Sequence, residues 1–120
     1  MARILIVDDS ELVRVKLRAM LEQLGCDVSE APNGVVALDI YTSEYPELVI
    51  CDINMPEMDG LEFLETLIDR EPNALVVMLT SIEDDEVLTK CLMAGAQAYL
   101  TKPFDPETTY NTLNDILGNL

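Results

Sequence analysis

Five residues stand just past apolar, strand-like runs and carry groups suited to phosphate chemistry. Asp8 and Asp9 follow residues 3–7, Asp52 follows 48–51, Thr80 follows 74–79, and Lys102 follows 96–100. Carboxylates gathered at one place repel, and unaided at least one should have a raised pKa. A hard divalent cation relieves that repulsion. A few carboxylates with open water positions suit Mg²⁺ better than a dedicated calcium cage, and Mn²⁺ is the alternative. Lys102 supplies a point charge for phosphate oxygens and Thr80 a hydroxyl donor. Carboxylate, cation, ammonium and hydroxyl together make a site for phosphoryl transfer onto an aspartate, which is a competent acceptor.

Such a site requires elements that bring four strand ends to one place. The run at 3–7 is continuously apolar, as in a strand covered on both faces. Ser10 is an N-cap signal with Glu11 in the first turn, and Val13, Leu17, Leu21 and Leu24 follow at helical spacing until Gly25. Residues 26–30 form a short second strand. Pro32-Asn33-Gly34 turns into a helix with Val36, Ala37, Ile40 and Tyr41 inward. The strand at 48–51 leads through a turn-rich loop to a helix over 60–70. The strand at 74–79 precedes a helix over 83–93 that ends at Gly95. The last strand, 96–100, is followed by a helix with Asp105 as N-cap and Pro106 at its first position, packing Leu113, Ile116 and Leu117. Strand and helix alternate five times with short connections, which predicts a five-stranded parallel sheet with helices on both faces, in one domain over 1–120. Ligands of such sheets bind beyond the carboxyl ends of the strands, near a topological switch point.

Composition narrows the function. The chain has 120 residues, 49% of them hydrophobic, and a formal net charge of −16. That charge disfavours a nucleic-acid backbone as a direct partner. No apolar run reaches the ~20 residues of a bilayer span, and no signal-peptide pattern opens the chain, so the expected location is the cytoplasm. Three scattered cysteines read as apolar filler rather than a disulfide or zinc set. The absence of histidine excludes a histidine triad, a histidine metal site and a phosphohistidine on this chain. An EF-hand fails at Asp52-x-Asn54, because Pro56 and Glu57 occupy positions meant for a ligand and the turn glycine. Neither a P-loop nor GxGxxG is present.

The motifs VDDS after the first strand, DINMPEMDG around Asp52, LTS after the fourth strand and YLTKPF at the fifth occur in this order. With them the chain resembles, over essentially its whole length, a receiver domain of the bacterial two-component response regulators, nearest in layout to stand-alone chemotaxis-type regulators. The resemblance implies a (βα)5 flavodoxin-like doubly wound fold. It implies Asp52 as phosphoacceptor, with Asp9, Asp52 and the Asn54 backbone carbonyl on Mg²⁺ and Asp8 acting through water. Lys102 would contact the phosphoryl group. Thr80 would turn its hydroxyl toward it, and Tyr99 would move from exposed to buried. Asn54 and Ile82 would tune hydrolysis, and an aliphatic Ile82, unable to orient water, is expected to prolong the phosphate's life. The donor would be a histidine kinase or histidine phosphotransfer protein. The target would meet the fourth helix, fifth strand and fifth helix, a face that also serves homodimers on phosphorylation. The acids from Glu83 to Glu86 lie on that output helix, and its dipole accounts for them without a partner.

Two other functions compete with a switch that does not turn over an external substrate. An Mg²⁺-dependent aspartyl phosphatase needs a second aspartate two residues past the nucleophile, where this chain has Asn54. A degenerate receiver used only for docking would not need Asp8, Asp9, Asp52, Thr80 and Lys102 together.

Overall fold

The structure is a computed structural model and describes residues 2–81 and 85–118. Ten elements alternate: β1 Arg3–Val7, α1 Glu11–Gln23, β2 Asp27–Ala31, α2 Gly34–Glu44, β3 Leu48–Asp52, α3 Gly60–Arg70, β4 Val76–Thr80, α4 Asp85–Ala94, β5 Ala98–Thr101 and α5 Pro106–Leu117. The helix starts follow from side chains that accept an orphan backbone N–H. Ser10, Asn33, Asp59 and Asp105 accept from Val13, Val36, Glu62 and Thr108 respectively.

All strand pairs are parallel, in the order β2-β1-β3-β4-β5. The chain leaves β1 for β2 on one side and returns to β3 on the other. The crevice between the β1 and β3 ends is therefore the switch point. Alternate strand residues serve opposite layers. Leu5, Val7, Val49 and Cys51 pack with α2, α3 and α4 through Leu38, Phe63, Leu64 and Cys91. Ile4, Ile6, Leu48 and Ile50 pack with α1 and α5 through Leu17, Leu21 and Leu113. All three cysteines are buried free thiols.

Several boundaries differ from the sequence expectation. β2 runs one residue later, because Asp27 rather than Cys26 joins the ladder to Arg3. The starts of β4 and β5 move inward, and Asp52, Thr80 and Thr101 are last residues of their strands rather than loop residues. Only β1, β3 and β4 are buried throughout or nearly so. The edge strands β2 and β5 mix buried and exposed positions, since each has a ladder partner on one side only. Val36 is exposed rather than inward, because helix phase set by the Asn33 cap buries Gly34, Ala37, Leu38 and Tyr41. Val13, Leu24, Ile116 and Leu117 are half-buried at the edge of the core.

One glycine is required by a close approach. A Cβ on Gly60 would overlap the Asp52 carbonyl oxygen and lie 2.7 Å from the Ile53 Cα. Its N–H donates to the Ile53 carbonyl at 2.8 Å, which folds the loop back against the end of β3.

Candidate functional site

β1 ends at Val7, and the next residue, Asp8, is fully buried. Its N–H donates to the Ala31 carbonyl at 3.1 Å, and its Oδ1 accepts from the Ser10 N–H at 2.8 Å. Asp9 is exposed. Asp52, the last residue of β3, is only 6% exposed. Carboxylate oxygens of Asp8, Asp9 and Asp52 all lie within 4.8 Å of one another. From the other side, after β5, the Lys102 Nζ donates to Asp52 Oδ1 at 3.2 Å and pairs with Asp8 Oδ2 at 3.5 Å. The Lys102 N–H donates to the Thr80 carbonyl at 2.8 Å, which ties the approach of the lysine to β4. The Lys102-Pro103 peptide is cis.

The electrostatics follow from this packing. Burial, reinforced by the Asp8 charge, pushes the Asp52 carboxyl up to about 6, while Lys102 and a hydrogen bond from the Asn54 backbone pull the other way. Burial opposes the Lys102 ammonium, but Asp52 and Asp8 outweigh it and hold its pKa above the ordinary lysine value. One cation thus faces two buried carboxylates. Asp8 Oδ2 is buried and accepts no hydrogen bond, so its lysine contact is an ion pair only. A buried carboxylate oxygen left in this state is costly. With two further carboxylates beside it, all hard oxygen donors, the residues present fit a hard divalent cation.

Asp8, Asp9, Asp52 and Lys102, read from the sequence as one site, thus converge. Thr80 is buried at the end of β4, and its hydroxyl donates to the Ser81 carbonyl at 3.0 Å. Tyr99, on edge strand β5, is 48% exposed. Asn54 follows β3 and is exposed. Ile82, Glu83 and Asp84 lie outside the described residues.

Sequence reasoning missed a network behind the acidic pair. Arg14 on α1 donates from Nη1 to the Asp8 carbonyl at 2.6 Å and from Nε to Glu30 Oε1 at 3.0 Å. Glu30, on β2, also accepts from Arg18 Nη1 at 2.6 Å. Hydrogen bonds from Arg18 and then Arg14 hold the Glu30 carboxyl below the usual carboxylate range, against the effect of burial. The available signal was an arginine four residues after the Ser10 cap, with a glutamate near the end of β2. Also unforeseen is an apolar cleft of ≈ 310 Å³ beside Lys102, lined by Leu12, Val13, Lys16, Pro103 and Phe104.

The class is set by a five-stranded doubly wound parallel sheet with three carboxylates at its switch point and a lysine opposite. The sequence pattern of the response regulator receiver domain matches residues 4–114. The chain is 42% identical to the protein PilH of Pseudomonas aeruginosa, over 98% of this chain and 99% of that protein. It is 39% identical to the chemotaxis protein CheY of Halobacterium salinarum, over 96% of each. Among solved structures, the chemotaxis protein CheY4 of Vibrio cholerae superposes with a TM-score of 0.90 at 33% identity, covering 97% of this chain and 98% of that one. A response regulator receiver domain from Clostridium thermocellum gives 0.94 at 27% identity, covering 98% and 95%. This chain belongs to the response regulator receiver domain family and has its flavodoxin-like fold. Receiver domains act as signalling switches. No helix among the described residues is long and apolar enough to cross a membrane.

Proposed function

We propose that the chain is a single receiver domain over 1–120 that accepts a phosphoryl group on Asp52 and changes its output surface in response. The observation that carries this is the Asp52 carboxylate at the switch point, bonded by Lys102 and within 4.8 Å of the Asp8 and Asp9 oxygens. An Asp52 oxygen attacks phosphorus of a phosphohistidine on a histidine kinase or histidine phosphotransfer protein. The P–N bond breaks and its electron pair stays on the imidazole. Lys102 neutralises charge on the transferred oxygens. Asp9, Asp52 and the Asn54 carbonyl would hold Mg²⁺, or Mn²⁺ in its place, with Asp8 acting through water. When bound, the ion supplies electrostatic stabilisation of the phosphoryl oxygens.

Thr80 then exchanges its bond to Ser81 for one to the phosphoryl group, and Tyr99 moves inward. A protein target, or a second copy of the chain, meets the altered face of α4, β5 and α5. Water hydrolyses the aspartyl phosphate, and Asn54 and Ile82 set the rate. The chain acts in the cytoplasm, touches neither nucleic acid nor membrane, and does not turn over an external substrate.

The test is transfer of labelled phosphate from a panel of histidine kinases and from acetyl phosphate, with Mg²⁺ present. Wild type takes up label that alkali and hydroxylamine release, as for an acyl phosphate, and Asp52→Ala takes up none. No uptake from any donor would leave a docking module. Sustained phosphate release from phosphomonoesters would favour the phosphatase.

A further inference from the structure

Asp9 is the exposed member of the acidic trio, and among the described residues nothing hydrogen-bonds its carboxylate. Its direction is therefore inherited from the backbone. The peptide that leads into Asp9 carries the Asp8 carbonyl, and that oxygen accepts from Arg14 Nη1 at 2.6 Å. The same residue's N–H is held by Ala31 of β2 at 3.1 Å. Asp8 is thus gripped on both sides of its Cα, from β2 and from α1.

Arg14 is itself fixed. Its Nε bonds Glu30 Oε1 at 3.0 Å, and its side chain is only 15% exposed. Glu30 is held in turn by Arg18, which also donates to the Val28 carbonyl at 3.1 Å. The chain of contacts runs β2 to Glu30 to Arg14 to the Asp8–Asp9 peptide. A planar guanidinium can serve two acceptors in fixed directions at once, which an ammonium on a flexible stem does less well.

We propose that Arg14, anchored by Glu30, is a positioning residue that orients the Asp8–Asp9 peptide and so sets the divalent-cation affinity of the acidic trio. This rests on the metal-binding part of the proposed function. Arg14 reaches the cation through the backbone rather than through its charge, and that makes the proposal separable from simple electrostatics. A positive charge near a cation site weakens binding, so if charge were its main effect, removing Arg14 would tighten Mg²⁺ binding. If positioning dominates, removing it weakens binding, by about tenfold as for other outer-shell partners of metal ligands.

The experiment is calorimetric Mg²⁺ titration of wild type, Arg14→Met and Glu30→Gln at neutral pH with no phosphodonor, alongside thermal unfolding without metal. The expected result is a Kd raised about tenfold in Arg14→Met, and raised to a smaller degree in Glu30→Gln, where the arginine stays but loses its anchor. Unchanged or tighter Mg²⁺ binding in a folded Arg14→Met protein overturns the proposal. If Arg14→Met does not fold, Arg14→Lys, which keeps the charge but loses the fixed two-acceptor fork, carries the test: weaker Mg²⁺ binding is expected, and unchanged binding overturns the proposal. A wild type that shows no Mg²⁺ binding overturns the metal reading instead, a different result from equal binding by wild type and variant.

Discussion

At the ends of β1 and β3 the acidic residues are tied across elements, whereas at the ends of β4 and β5 the Thr80 hydroxyl bonds its own neighbour and Tyr99 faces solvent. Asp8 is held from β2, from α1 and by the lysine after β5. Asp52 is held by that lysine and by the loop that Gly60 folds against its carbonyl. By contrast, the Thr80 hydroxyl bonds the carbonyl of its own neighbour, Ser81, and Tyr99 stands half out of an edge strand. A group tied to several elements moves only if they all move. A local bond can be exchanged for another at little net cost, since a typical hydrogen bond contributes about 1 kcal/mol. The first half is suited to holding charge in a fixed geometry and the second to reporting a change in that charge. Lys102 spans both, with its side chain on the acids and its N–H on Thr80.

Removing that link should have the largest effect. Lys102→Met leaves two buried carboxylates with no cation between them. Phosphoryl uptake from acetyl phosphate should slow by about a hundredfold or more, the scale for losing one electrostatic stabiliser of a transition state. Because Lys102 pulls the Asp52 pKa down against burial, the variant's Asp52 should titrate above about 6. Carbon-detected NMR of the carboxyl measures this directly. An unchanged titration would mean that the lysine contact contributes nothing in solution.

The acidic half should also be costly to the folded state in a way that pH exposes. Asp52 titrates near about 6 in the fold against an ordinary 3.8, so the folded chain holds this proton more tightly than the unfolded one. The stability it contributes is fully present below about pH 4 and is lost as pH rises through about 6. Asp52→Asn cannot ionise. In metal-free urea unfolding, wild type and variant should agree near about pH 4. The variant should be more stable by on the order of 2–3 kcal/mol near about pH 8. A difference independent of pH would contradict the strained carboxylate.

How far each half was legible in the sequence follows from the same contrast. Asp8, Asp9, Asp52 and Lys102 were readable because a parallel sheet sends every strand end to one edge, so an apolar run followed by a charge is enough to place the charge. The fold was legible for a related reason: β1, β3 and β4 are covered on both faces and read as unbroken apolar runs. The edges were harder. β2 has the sequence DVSEA, and neither its start nor the role of Glu30 follows from hydropathy. The Arg14–Glu30 contact depends on register, Ile6 opposite Glu30, and on the rotation of α1 above it. Val36 was misplaced because α2 buries neither Val35 nor Val36: with Asn33 as cap, Gly34, Ala37, Leu38 and Tyr41 take the inner face.

The smallest resting-state effect is expected on the other half, from Thr80→Ala. The Thr80 hydroxyl donates to the Ser81 carbonyl at 3.0 Å. Loss of stability should stay near about 1 kcal/mol, and Mg²⁺ affinity should match wild type, because the Asp8, Asp9 and Asp52 oxygens keep their geometry. The consequence should emerge only when the site is charged. With beryllofluoride and Mg²⁺, the Tyr99 ring resonances of the wild type should shift as the ring moves from solvent into the protein, and those of Thr80→Ala should stay near their resting positions. If the variant's Tyr99 shifts as far as the wild type's, the β4 and β5 ends do not report through Thr80, and the division of the mouth into a holding half and a reporting half fails at that residue.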